Sequence, residues 1–158
     1  MKKKSFIIAI FLVIFDQLIK LLIDKYELLF EKIIVPNFFY LTKVYNTGAA
    51  WSTLSGARFL LIAFSIMAFI LLFKYQENIQ INKRNILAFG LIYGGLIGNL
   101  IDRLRLGYAI DYIGFYIFKY QFPVFNLADI FIVVGFSLLI YAIFKGEDLS
   151  GSKCRKIK

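Results

Sequence analysis

Carboxylates set in apolar sequence are the first features of this chain that ask for a chemical explanation. An ionised side chain at membrane depth costs at least about 2.5 kcal/mol on insertion scales, so it needs a partner or a task. Asp111 and Asp129 are the pair best suited to a task. Asp129 falls just inside an apolar block, roughly 6 Å below its end at 1.5 Å per residue, and Asp111 lies in the connection that leads back to that same end. Two carboxylates sharing one proton can activate a water as general base while the protonated member polarises a carbonyl, as in aspartic peptidases. Residue types alone leave a structural alternative open, because an Asp near a helix start can cap it and an Asp in a connection can simply be solvated.

Other polar residues have two readings each. Asp16 and Lys20 share one helix face and can pair, either to fix helix packing or to support a site. Asn46 and Gly48 read first as a turn. The Asn46 amide also offers a donor and an acceptor to a peptide, and Gly48 with Ala49 and Ala50 permits close approach. Gly90, Gly94 and Gly98 recur every fourth residue, the pattern of close helix packing in membranes. Asn99, Asp102 and Arg103 follow, where the two charged residues can mark a lipid boundary. Arg103 beside two carboxylates would favour ionising one of them. Asn126 precedes Asp129 by three positions, able to orient its carboxylate or to cap the helix. Histidine is absent, which excludes His-based triads and most zinc sites. The single cysteine, Cys154, sits in a basic tail and can build neither a disulfide nor a thiolate cluster alone. No metal or organic cofactor is implied. Ser52 or Ser55 with Lys43 is a rival nucleophile and base, without a local motif.

The elements that must position these residues follow from composition. The chain is 60% hydrophobic and 18% aromatic with two prolines, too apolar for a soluble domain of this length. Four apolar blocks, about 5–23, 55–75, 85–103 and 125–144, are each near the roughly 20 residues that cross a bilayer as a helix. The first follows Lys2, Lys3 and Lys4 and has the outline of a secretory signal. It carries Asp16, Gln17 and Lys20, and no small-x-small cleavage site follows, so a retained helix is expected. The predicted fold is an all-α membrane protein, a four-transmembrane-helix bundle of antiparallel spans with a small external β-rich platform, in one domain over 1–158. Lys and Arg are more numerous beside the N-terminus, the second connection and the tail, which places both termini in the cytoplasm. The net charge of +9 lies at block ends rather than in a stripe with stacking aromatics, so nucleic acid is not an expected partner. The external connections, about 24–54 and 104–124, contain two β-forming, aromatic stretches, Asn37 to Tyr45 and Phe115 to Phe122. The first promises a strand, and the second is similar to it. Both are suited to the headgroup level.

Five blocks carry a resemblance over nearly the whole chain: Phe15-Asp-Gln-Leu-Ile-Lys20, Tyr45-Asn-Thr-Gly-Ala-Ala-Trp51, Gly94-Gly-Leu-Ile-Gly-Asn-Leu-Ile-Asp-Arg103, Ala109-Ile-Asp-Tyr-Ile113 and Phe122-Pro-Val-Phe-Asn-Leu-Ala-Asp129. In this order and spacing the chain resembles the bacterial lipoprotein signal peptidases, the signal peptidase II family. The resemblance implies a membrane aspartic endopeptidase with Asp111 and Asp129 catalytic. It would remove signal peptides from prolipoproteins by cutting before the diacylglyceryl-modified cysteine. Asp16, Lys20, Asn46, Gly48, Asn99, Arg103 and Asn126 would bind substrate or support the site. It also implies the bacterial cytoplasmic membrane, an active site near the external face and inhibition by globomycin-type peptides. A monomer is the expected working form. Trp51 and Ala109 depart from the residues common at those positions, by changes the site should tolerate. A lipid-bearing substrate would enter through a cleft open to the bilayer. The alternative of a proton-coupled carrier, for which Asp16, Lys20 and Asp129 would serve as an ion path, lacks repeat symmetry and a midplane site.

Overall fold

The computed structural model describes residues 1–25, 32–48, 53–118 and 120–148. Ala49, Ala50, Trp51, Ser52, Lys119 and the tail with Cys154 lie outside the described residues. Four helices are each long and apolar enough to cross a membrane, making this a multi-pass membrane protein. They are α1 (Lys2–Lys25), α2 (Arg58–Tyr75, continued by a 3-10 turn Gln76–Asn78), α3 (Lys83–Arg105) and α4 (Leu127–Phe144).

The helix ends differ from the apolar blocks for local reasons. α1 takes in the flanking lysines, which are good helix formers with their charges in water. α3 begins earlier than its apolar stretch because Asn82 accepts the amide of Asn85 as N-cap. α4 starts at Leu127 rather than 125, because Phe125 ends a strand and Asn126 is the cap. α2 starts at Arg58 after a turn at residues 53–56, in which Leu54 and Gly56 both have positive φ.

α3 is the hub. It contains twelve buried residues, including Ala88, Phe89, Ile92 and Tyr93, and has the lowest hydropathy of the four spans because it faces protein rather than lipid. Its glycine stripe holds α1 in register. A Cβ at Gly90 would come within 2.7 Å of Ile8, one at Gly94 within 2.9 Å of Leu12, and one at Gly98 within 2.7 Å of the Asp16 carboxylate. Chain direction is therefore the same in α1 and α3. The opposite side of α3 is cut for the antiparallel α4: Gly95 faces the Ala128 carbonyl and Gly135 of α4 faces Ile92. α1 and α4 make their main contacts with α3 rather than with each other, and α2 packs peripherally.

The α1–α2 and α3–α4 connections join one antiparallel sheet in the order β1 (Lys32–Val35), β2 (Phe39–Asn46), β3 (Ala109–Ile117), β4 (Tyr120–Phe125). The second connection is thus part of the platform, and Asp111, expected in that connection, sits inside a strand. β2 pairs with β3 from Phe39↔Phe115 to Asn46↔Ala109, with Val44 opposite Asp111. The Tyr40 ring lies over Gly114, where any side chain would collide with it. Phe38, Phe39, Phe115, Phe122 and Phe125 form a chain of ring contacts across the sheet, with centroids 5.1–6.0 Å apart. These cross-strand aromatic pairs stabilise the register.

Candidate active site

Asp111 and Asp129 reach one cavity from different elements. β3 leaves the end of α3 and delivers Asp111, buried at 2% exposure. α4 delivers Asp129 from its first turn, partly exposed. Asn126 joins them. Its side-chain amide donates to Asp111 Oδ1 at 2.7 Å, while its backbone N–H donates to Asp129 Oδ2 at 3.1 Å. The Asn126 side-chain oxygen, Oδ1, in turn accepts the Asp129 backbone N–H at 3.0 Å, closing a capping box. The alternatives of cap and site residue for Asn126 are therefore both realised in one side chain. Asp129 lies in the first turn of α4, at the positive end of the helix dipole.

The second oxygen of each aspartate is held by another asparagine. Asn46 Nδ2 donates to Asp111 Oδ2 at 2.8 Å, and Asn46 Oδ1 accepts the Gly48 N–H at 2.9 Å. The turn at 46–48 is thus the device that points the amide nitrogen at Asp111. Asn99 Nδ2 donates to Asp129 Oδ1 at 2.7 Å, and its oxygen receives Asn126 Nδ2 at 3.1 Å and Lys20 Nζ at 3.0 Å. Burial, together with the nearby Asp129 charge, pushes the Asp111 carboxyl up to about 6, against the lowering effect of the Asn46 and Asn126 hydrogen bonds.

Beneath the asparagines lies a buried ionic cluster. Lys20, 1% exposed, pairs with Asp16 at 2.8 Å as the spacing promised, and also with Asp102 at 2.7 Å. Asp102 is fully buried, not a boundary marker. It accepts Gln17 Nε2 at 2.8 Å and the Ile110 N–H at 3.5 Å, which ties α1, α3 and the start of β3 together. Gly98 leaves room for Asp16, so the packing glycine also serves the cluster. Arg103 makes no ion pair among the described residues; it donates to the Gly48 carbonyl at 2.9 Å and the Asn99 carbonyl at 3.4 Å. Its role is to hold the turn that carries Asn46. Sequence reasoning passed over Gln17 and Asp102 as site-supporting residues. Both lie within the quoted blocks, and Gln17 one residue from Asp16 was the available signal.

The cavity has a volume of about 940 Å³. Asn46, Asn99, Arg103, Asp111, Asn126 and Asp129 form its polar end. Leu61, Phe64 and Ala68 of α2 face Ile130, Val133 and Val134 of α4 across its apolar part. All nine site residues expected from sequence lie here or in the hydrogen-bonded shell around it: Gly48 through Arg103, Asp16 and Lys20 through Asn99. Of the rival hydroxyl site, Ser52 lies outside the described residues, and Ser55 and Lys43 are engaged with other partners. The Ser55 hydroxyl bonds Thr47 at 2.8 Å, while Lys43 pairs with Asp24 at 3.6 Å.

Comparison with known proteins adds a second line of observation. The family model described as signal peptidase (SPase) II matches residues 8–145. A lipoprotein signal peptidase of Halothermothrix orenii is 39% identical over 143 residues, covering 90% of this chain and 96% of that protein. One of Staphylococcus aureus is 37% identical over 162 residues, covering 98% and 94%. Two solved structures of a bacterial membrane enzyme, at 2.3 and 1.9 Å resolution, superpose with TM-scores of 0.81 and 0.78. Each is 36% identical and covers 89% of this chain, over 87% and 92% of its own length.

Proposed function

The chain belongs to the signal peptidase II family, and we propose that within it Asp111 and Asp129 are the catalytic dyad of an aspartic endopeptidase. The reaction is removal of the signal peptide from prolipoproteins, cut before the diacylglyceryl-modified cysteine. One observation carries the dyad: a single residue, Asn126, hydrogen-bonds both carboxylates at the polar end of a cavity whose other end is apolar. One proton serves the pair, with the buried Asp111 as its better seat. Water gives a proton to Asp129 as its oxygen attacks the scissile carbonyl carbon, and Asp111 donates to the carbonyl oxygen. Collapse of the resulting diol returns the proton to Asp111 and protonates the departing amine through Asp129. Asp16, Lys20, Asn46, Gly48, Asn99, Arg103 and Asn126 hold this geometry or meet the substrate.

The apolar half of the cavity suits the acyl chains, the sheet suits the peptide, and globomycin-type inhibitors would compete for both. The whole of 1–158 acts as one peptidase domain and as a monomer. Both termini are cytoplasmic and the dyad lies near the external face, at a depth reached by water and by a lipid-anchored cysteine alike. Purified protein given a prolipoprotein with and without the diacylglyceryl group tests this reading. Only the lipid-bearing precursor should be cut, immediately before the cysteine, and Ser55→Ala should leave the rate unchanged. Equal cleavage of the unmodified precursor would contradict it.

A further inference from the structure

α2 stands apart from the other helices in how it is held. Only Leu61 of its eighteen residues is buried, and no glycine stripe seats it on α3. It is fixed at its two ends instead. At the cytoplasmic end, Phe69 and Phe73 pack on Phe6, and Gln76 bonds Ser5 at 2.8 Å and accepts from Tyr93 at 3.1 Å. At the external end the first residue of the helix, Arg58, donates Nε to the Arg103 carbonyl at 2.7 Å and Nη2 to the Leu104 carbonyl at 2.7 Å. Those carbonyls lie in the last turn of α3, where the dipole is negative; the Arg103 oxygen also accepts the Gly107 N–H at 3.2 Å. A planar guanidinium matches two such acceptors at little conformational cost. Gly107, at φ +94°, makes the left-handed turn that follows α3 beside this guanidinium.

Between the two fastenings, Leu61, Phe64, Ser65 and Ala68 form one wall of the cavity that holds Asp111 and Asp129, and α4 forms the facing wall. The separation of these walls is therefore set by where the external end of α2 is pinned. We infer that Arg58 is a positioning residue of the peptidase: it latches α2 to the end of α3 and so fixes the width of the apolar cleft that receives the substrate's acyl chains. The inference rests on the reading of the cavity as a lipid-substrate site. Arg58 touches neither carboxylate. Its effect falls on lipid recognition rather than on the bond-breaking step.

The experiment compares wild type, Arg58→Gln and Arg58→Lys on two prolipoprotein peptides that differ only in carrying two myristoyl or two palmitoyl chains. Arg58→Gln should raise KM about tenfold and bring the kcat/KM values of the two substrates together, with kcat and its pH profile within about twofold of wild type. Arg58→Lys, which can still hold one carbonyl, should recover most of the KM and the chain-length preference. A second variant guards against misfolding of the first: Ala68→Phe, which narrows the same wall with the latch intact, should penalise the palmitoyl substrate selectively. Unchanged KM and unchanged preference in Arg58→Gln would overturn the inference, as would a fall in kcat at constant KM. Wild type that cuts neither peptide would overturn the peptidase reading and the latch with it, whereas active wild type beside an unaltered Arg58→Gln overturns the latch alone.

Discussion

Asp111 carries a conflict between stability and chemistry that can be measured. Its carboxyl is held near 6 against a reference of 3.8, chiefly by burial. Between those values the native state binds more protons than the unfolded state, so stability is fully present below about pH 3.8 and declines as pH rises towards 6. Asp111→Asn removes that decline. The variant should lose activity yet gain up to about 3 kcal/mol at pH 7, seen as a higher melting temperature in detergent, with the gain shrinking to little near pH 4. A melting temperature below wild type at both pH values would contradict the burial of an ionised group. The same carboxyl sets the alkaline limb of kcat/KM for the free enzyme, which should bend near pH 6 and fall tenfold per unit above it. Asn126 separates its two jobs by substitution. Asn126→Ser keeps a capping oxygen and should cost under about 1 kcal/mol of stability. It loses the amide on Asp111 and should lower the rate about 100-fold, the scale of a misplaced catalytic group.

At the scale of elements, α3 determines whether the site can exist, because it presents Asn99, Asp102 and Arg103 while packing both α1 and α4. Gly95→Ala would drive a methyl group into the Ala128 carbonyl, one residue from Asp129. It should cost about 1–3 kcal/mol and depress activity, whereas Gly146→Ala, strained by its φ of +71° but with open space around it and no helix to separate, should lower stability and leave activity intact. Thermal unfolding and turnover of the two variants check this together. The helices were legible in the sequence because apolar length in a membrane is nearly sufficient to specify a span, and Gly90, Gly94 and Gly98 announced a close helix seam whose partner, α1, only the structure identifies. The joining of the α1–α2 and α3–α4 connections into one sheet was not legible. Pairing of Val44 with Asp111 is a contact between distant segments that no local pattern encodes. The burial of Asp102 was hidden for a related reason: at the end of an apolar block it can pass for a boundary residue, and its partners come from α1 and the start of β3.

The whole molecule sets one cavity among membrane-crossing helices, with a polar end built from three asparagines and two aspartates and an apolar end between α2 and α4. The proposed orientation predicts that Cys154, beyond α4, reacts with a membrane-impermeant maleimide in inverted vesicles but not in intact cells. Labelling of intact cells would reverse the topology and put the dyad on the wrong side. The site itself was legible to the extent that motif blocks named its residues. Their hydrogen-bond directions were not, because Asn46, Asn99 and Asn126 each satisfy two elements at once. The most direct test of the dyad is single-turnover cleavage of a diacylglyceryl prolipoprotein by purified wild type, Asp111→Asn and Asp129→Asn, each shown to be folded. Both variants should fall to background, at least about 10³-fold below wild type, and either one retaining wild-type cleavage would contradict the paired-aspartate mechanism.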